Sequence, residues 1–133
     1  MAGRQRRGIR ADFAVLALLF ELKDKEMLPV EEAMLHRYFE RFLKVLQRRW
    51  IDLDGVFEFT AEDSGPYSSR LKTLVQEWIG RDVLTYTGDG VDVTQIDEEK
   101  WRTDAPELGD YAVRLAAGDA IEYIRLHHNT QSK

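Results

Sequence analysis

The chain has 133 residues and no cysteine, which suits one domain and excludes disulfides and thiolate chemistry. Hydrophobic residues make up 44% and charged residues 32%, as in soluble globular proteins; the longest apolar run, Phe13 to Phe20, is far shorter than the roughly 20 residues of a membrane span. The net charge of −5 is polarised: residues 1–50 carry eleven Lys/Arg against seven Asp/Glu, and residues 51–133 carry eight against seventeen, so either one basic face sits on an acidic body or two opposite patches pair between subunits.

Residues 1–8, MAGRQRRG, read as a flexible basic arm, either frayed or reaching into a DNA groove. No small-residue cleavage site follows the apolar run, so no signal peptide is expected. Ile9, Phe13, Leu16, Leu19 and Phe20 recur at helical spacing, which predicts a first helix from Ile9 to about Lys23. Val15, Leu18 and Leu22 widen its stripe, so it is either central to the core or shared with a second subunit. Pro29 suits the first turn of a second helix, and Glu31 and Glu32 favour its positive end. That helix runs to about Arg49, with Leu35, Phe39, Phe42, Leu46 and Trp50 as its inner stripe. Arg37, Arg41, Lys44 and Arg48 share its outer face, as a solvated surface or as phosphate or partner contacts.

A short strand is expected over Val56–Phe59 and a loop over Ala61–Pro66. The third helix begins at Ser68 or Ser69, either of which can cap it. Leu71, Leu74, Val75, Trp78 and Ile79 face inward, and Gly80 ends the helix. Strands Val83–Tyr86 and Val91–Ile96 flank Thr87-Gly88-Asp89-Gly90, a hairpin signal. Asp97–Ala105 is polar apart from Trp101. From Pro106 a last helical region places Leu108, Tyr111, Ala112 and Leu115 on one face, with Gly118 and Asp119 as a possible kink or break.

The expected fold class is mainly α with a small β-hairpin, ordered as a winged helix-turn-helix with an additional C-terminal helical region. Residues 9–133 then form a single winged-helix-like domain, and the apolar first and last helices could supply a homodimer surface. The segment Phe57-x-Phe59, Gly65-Pro66-Tyr67-Ser68, Leu71-x-x-Leu74 and a hairpin leaving through Thr94 resembles the Panacea antitoxin superfamily and related phage-associated proteins. The resemblance covers about Val56 to Gln95. It implies that Phe57 and Phe59 lie in the strand before the loop, that Gly65, Pro66 and Ser68 lead into the helix, and that Thr94 ends the wing.

The outward residues of the third helix are Ser69, Arg70, Lys72, Thr73, Gln76 and Glu77. Arg can bond guanine, Gln adenine, and Ser, Thr and Lys suit phosphates or base edges, so Ser69, Arg70, Lys72, Thr73 and Gln76 are candidate contacts to double-stranded DNA. An exposed helix face has the same composition, and the hairpin brings Asp89 and Asp92 without a base. Two functions therefore stand open: a DNA-binding regulator or antitoxin-like factor, and a protein-interaction module that does not bind DNA. No enzyme, cofactor, metal or membrane partner is expected. Adjacent His127 and His128 lack helical ligand spacing, His36 and Glu122 complete no cluster, and Asp52 and Asp54 lack the terminal glutamate of a calcium loop. Asp97-Glu98-Glu99 reads as a solvated loop, and the absence of cysteine fits a reducing cytoplasm.

Overall fold

A computed structural model describes residues 7–131, with side chains from 8 to 127. In chain order the elements are β1 (Arg7–Ile9), α1 (Ala11–Asp24), α2 (Glu32–Arg48), β2 (Ile51–Leu53), β3 (Thr60–Glu62), β4 (Gly65–Tyr67), α3 (Ser69–Gly80), β5 (Leu84–Thr87), β6 (Gly90–Val93), α4 (Glu98–Asp104), α5 (Pro106–Gly109) and α6 (Tyr111–Gln131). The architecture is mainly helical, with three small strand pairs among the described residues. No helix is long and apolar enough to cross a membrane, among the described residues.

The centre is α1. Its alanines and leucines are strong helix formers. Every residue from Ala14 to Phe20 is buried, so the helix is apolar all round and enclosed on all sides. The helix starts two residues later than its apolar spacing predicts, because Ile9 is taken by β1, which pairs in parallel with β2. Arg10 offers no side-chain cap; the Ala11 amide instead donates to Asp54 Oδ1 at 2.7 Å. Enclosure also removes α1 as a dimer surface. Residues 1–6 of the expected basic arm lie outside the described residues, while Arg7 and Gly8 belong to β1.

Pro29 precedes α2 rather than opening it. It places Val30 beside β6, where Val30 and Val91 exchange backbone hydrogen bonds of 2.9 and 2.8 Å. Strand β6 is thus flanked by β5 on one edge and Val30 on the other. Gly90 has a φ of +132° and lies against the Val30 carbonyl, so a side chain has no room there. Helix α2 buries Leu35, His36, Tyr38, Phe39, Phe42, Val45 and Leu46. Trp50, expected on that stripe, follows the helix at a φ of +62° and is 42% exposed, because the left-handed residue turns the chain out of the helical phase.

Residues 51–67 depart from expectation. Val56–Phe59 is not a strand; β2 precedes it, and the expected loop contains the antiparallel pair β3–β4. The two strands are three residues each, with Pro66 in the second. Segments so short and polar have no alternating apolar pattern to read. The amide of Leu71 donates to Ser68 Oγ at 3.2 Å, making Ser68 the cap of α3. Gly80 lies within the helix, and Asp82 takes the left-handed conformation at a φ of +63°. Strands β5 and β6 meet through a tight turn at Gly88-Asp89, inside the expected hairpin.

The stretch 97–105 is not a loop. Asp97 Oδ1 accepts from the Lys100 amide and caps α4. Helix α6 is continuous through Gly118 and Asp119, which neither kink nor break it. Its inward residues are Val113, Ala116, Ala117, Ala120 and Ile121. Leu108 is buried in α5, whereas Tyr111 and Leu115 point outward, so the expected shared face is not formed. The reason is Gly109-Asp110, which ends α5 and restarts the helical phase. Glu21 and Asp24 of α1 pair with Arg102 and Arg114, joining α1 to α4 and α6.

Candidate interaction surface

Gly65-Pro66-Tyr67-Ser68 joins the β3–β4 hairpin to α3, and Gly65, Tyr67 and Ser68 meet α2 or α3. Gly65, at a φ of +119°, lies beneath the Arg37 guanidinium. The Tyr67 ring stacks on His36 with centroids 4.9 Å apart and planes 10° from parallel. Ser68 is fully buried; its amide donates to His36 Nδ1 at 3.0 Å while its hydroxyl caps α3. His36 therefore fixes where α3 begins. An acceptor at Nδ1 places the neutral-ring proton on Nε2, which is buried without a hydrogen-bond partner among the described residues. Burial holds the His36 pKa below 6.5; the Glu32 carboxylate opposes this and Lys72 adds to it. Sequence reading gave His36 no role, although its place between Leu35 and the buried Phe39 was a signal for a core residue.

Thr94 has a comparable local task. Its hydroxyl lies 2.7 Å from the Asp82 carbonyl and 3.0 Å from that of Val83, tying the exit of β6 to the end of α3. Phe57 and Phe59 pack against the core from irregular chain, and Phe57 meets Phe39 at 5.0 Å.

Of the candidate α3 residues, Ser69, Thr73 and Gln76 are exposed, as is Glu77. The Thr73 hydroxyl donates to the Ser69 carbonyl. Both cations on this helix are occupied. Arg70 lies 4.7 Å over the Phe57 ring, donates to the Val56 carbonyl at 3.4 Å and pairs with Asp54 at 3.9 Å. Gly55 makes room for its guanidinium. Lys72 pairs with Glu32 at 3.9 Å. Glu58, Asp63 and Asp89 are exposed in loops and turns, and Glu62 is exposed in β3.

The four cations expected on one face of α2 separate. Arg37 sits against the β3–β4 hairpin. Arg41 leans the other way, 3.6 Å over the Tyr123 ring of α6. Lys44 and Arg48 are exposed. Arg49, which sequence reading passed over, pairs with Asp119 at 2.7 Å and lies beside Arg41 and Arg48 in a groove. Only the antiparallel packing of α2 and α6 brings these residues together.

Among the described residues no group of three or more His, Cys, Asp or Glu side chains could hold a metal ion. His127 is exposed and stacks on Tyr123 at 4.0 Å, and the His128 side chain lies outside the described residues. Asp54 is used to cap α1 and to pair with Arg70. No protein-family model matches the chain, and neither the curated proteins nor the solved structures contain a match to it.

Proposed function

We propose that this chain is a winged-helix domain that serves as a protein-interaction module rather than gripping duplex DNA through α3. The order α1, Val30, α2, α3, β5, β6 supports the winged helix, with the usual first strand reduced to the single pairing of Val30 with Val91. The β5–β6 hairpin is then the wing. The observation that carries the function is the pairing of both α3 cations with acids of the same chain, Arg70 with Asp54 and Lys72 with Glu32. Duplex affinity rests on phosphate contacts by Lys and Arg. Here Arg70 and Lys72 already have acidic neighbours in the same chain, and the wing adds Asp89 and Asp92. The proposal assigns no catalytic step and no cofactor. It places the protein in the cytoplasm, on the strength of its cysteine-free composition.

The test is anisotropy of a labelled mixed-sequence duplex at low and moderate salt. No binding is expected. Binding that weakens steeply with salt and disappears in Arg70→Glu/Lys72→Glu would overturn the reading in favour of DNA recognition. In a second arm, the protein captures partners from native extract, and hydrogen exchange is followed with the captured partner bound. Protection over α2 or α3 is expected; a partner that protects neither removes these faces as the contact.

A further inference from the structure

We propose that the groove between α2 and α6 is a docking site for an acidic peptide segment, held by carboxylates on Arg41 and Arg48. The inference deepens the protein-interaction reading and rests on it. The groove encloses about 400 Å³ and is lined by Arg41, Val45, Arg48, Arg49, Asp119 and Tyr123. Three guanidiniums face one carboxylate, a local net charge of +2 on a chain whose net charge is −5.

The three arginines differ in how they are held. Arg49 is paired with Asp119. Arg41 sits 3.6 Å over the centre of the Tyr123 ring, and its Nε is buried without a hydrogen-bond acceptor among the described residues. Arg48 is exposed and makes no ion pair among the described residues. The site thus has one fork packed on a ring and one unpaired fork, two helical turns or about 10 Å apart along α2. A guanidinium fork matches a carboxylate in two parallel hydrogen bonds. Val45 and Tyr123 supply apolar surface on which the rest of a peptide side chain can lie.

Carboxylates fit this groove better than the phosphates of a duplex. A duplex carries one charge about every 1.7 Å and would press its backbone against the rim as well as the groove. The lining includes Asp119, about half exposed, which would repel the phosphates. A peptide can place one or two acids between the arginines and turn away.

The experiment uses the whole chain with three probes: a labelled oligo-glutamate peptide containing leucines, an oligo-lysine peptide with the same leucine spacing, and a mixed-sequence duplex. Anisotropy is read at two salt concentrations, and amide chemical shifts locate the contact. The glutamate peptide is expected to bind, weaken with salt, and shift residues 41–49 and 119–123. Arg48→Glu should weaken it about tenfold or more, as loss of one charge-assisted contact implies. Lys100→Glu, an equal charge change at an exposed site on α4, should leave it within about twofold. Arg48→Gln, which removes the charge without reversing it, should lie between Arg48→Glu and wild type.

Failure of the glutamate peptide to bind at low salt overturns the inference, as does equal weakening by Lys100→Glu. If the duplex also fails to bind, the groove is abandoned while the protein-interaction reading keeps its own test. If the duplex binds and Arg48→Glu removes it, the groove holds phosphate, and both the inference and the reading on which it rests fall.

Discussion

Replacing His36 with alanine should loosen the junction between α2 and α3. The imidazole is 1% exposed, so the substitution leaves a void. It strands the Ser68 amide, which donates to His36 Nδ1, at about 1–3 kcal/mol for a buried donor. It also deletes the stack with Tyr67, about 0.5–1.5 kcal/mol more. Together these predict a loss of roughly 3 kcal/mol, seen in urea as a lower midpoint at unchanged slope. The wild type should carry a matching pH dependence. Because the folded-state pKa lies below 6.5, the unfolded chain takes up the His36 proton first as pH falls. The stabilising contribution is therefore complete above pH 6.5 and declines as pH drops from 6.5 toward the folded value. His36→Asn supplies an acceptor near Nδ1 but cannot titrate. It should lose less stability than His36→Ala and lack this component of the pH profile. A His36→Ala loss below about 0.5 kcal/mol, or a His36→Asn profile falling below pH 6.5 as the wild type does, refutes the reasoning.

Three further outcomes follow from local geometry. Ser68→Ala should cost about 1–2 kcal/mol in urea unfolding, since it removes the α3 cap at a buried position; no change would mean the cap is satisfied otherwise. Gly90→Ala puts a side chain onto the Val30 carbonyl at a positive φ, and should cost roughly 2 kcal/mol or more while exposing the Val30 and Val91 amides to exchange. Gly118→Ala has open space around it in the middle of α6 and should raise stability by about 0.5–1 kcal/mol, read as a higher Tm; a loss would show that α6 needs the glycine.

The sequence made the long elements legible and the junctions obscure. Helical spacing located α2 and α3 closely because each has one buried stripe, such as Leu71, Leu74, Val75 and Trp78. It overran the start of α1 because Ile9 extends the same spacing but pairs with β2. It misread the face of α6 because Asp110 restarts the helix, shifting Tyr111 and Leu115 outward. Asp97 was a readable cap, followed by a Glu pair, yet the polarity of 98–104 concealed a helix. At the surface, sequence correctly put Ser69, Thr73 and Gln76 outside. It had no means of showing that Arg70 and Lys72 meet Asp54 and Glu32, because those pairs join residues 16 and 40 positions apart. The groove arginines were hidden for the same reason: Tyr123 and Asp119 reach them only when α6 folds back along α2.

The enclosure of α1 has a consequence for how the molecule opens. Walls of that enclosure come from α2, α3, α5, α6 and β6, drawn from nearly the whole length of the chain. Lifting any one wall exposes Leu16, Leu18, Leu19 or Phe20 to water, at about 1.5–3 kcal/mol for each side chain. Partial openings that reach α1 are therefore costly, and its amides should exchange only when the whole protein unfolds. The hairpins and the α2–α6 rim do not share that penalty. A partner could thus reshape the surface while the interior remains a single cooperative unit.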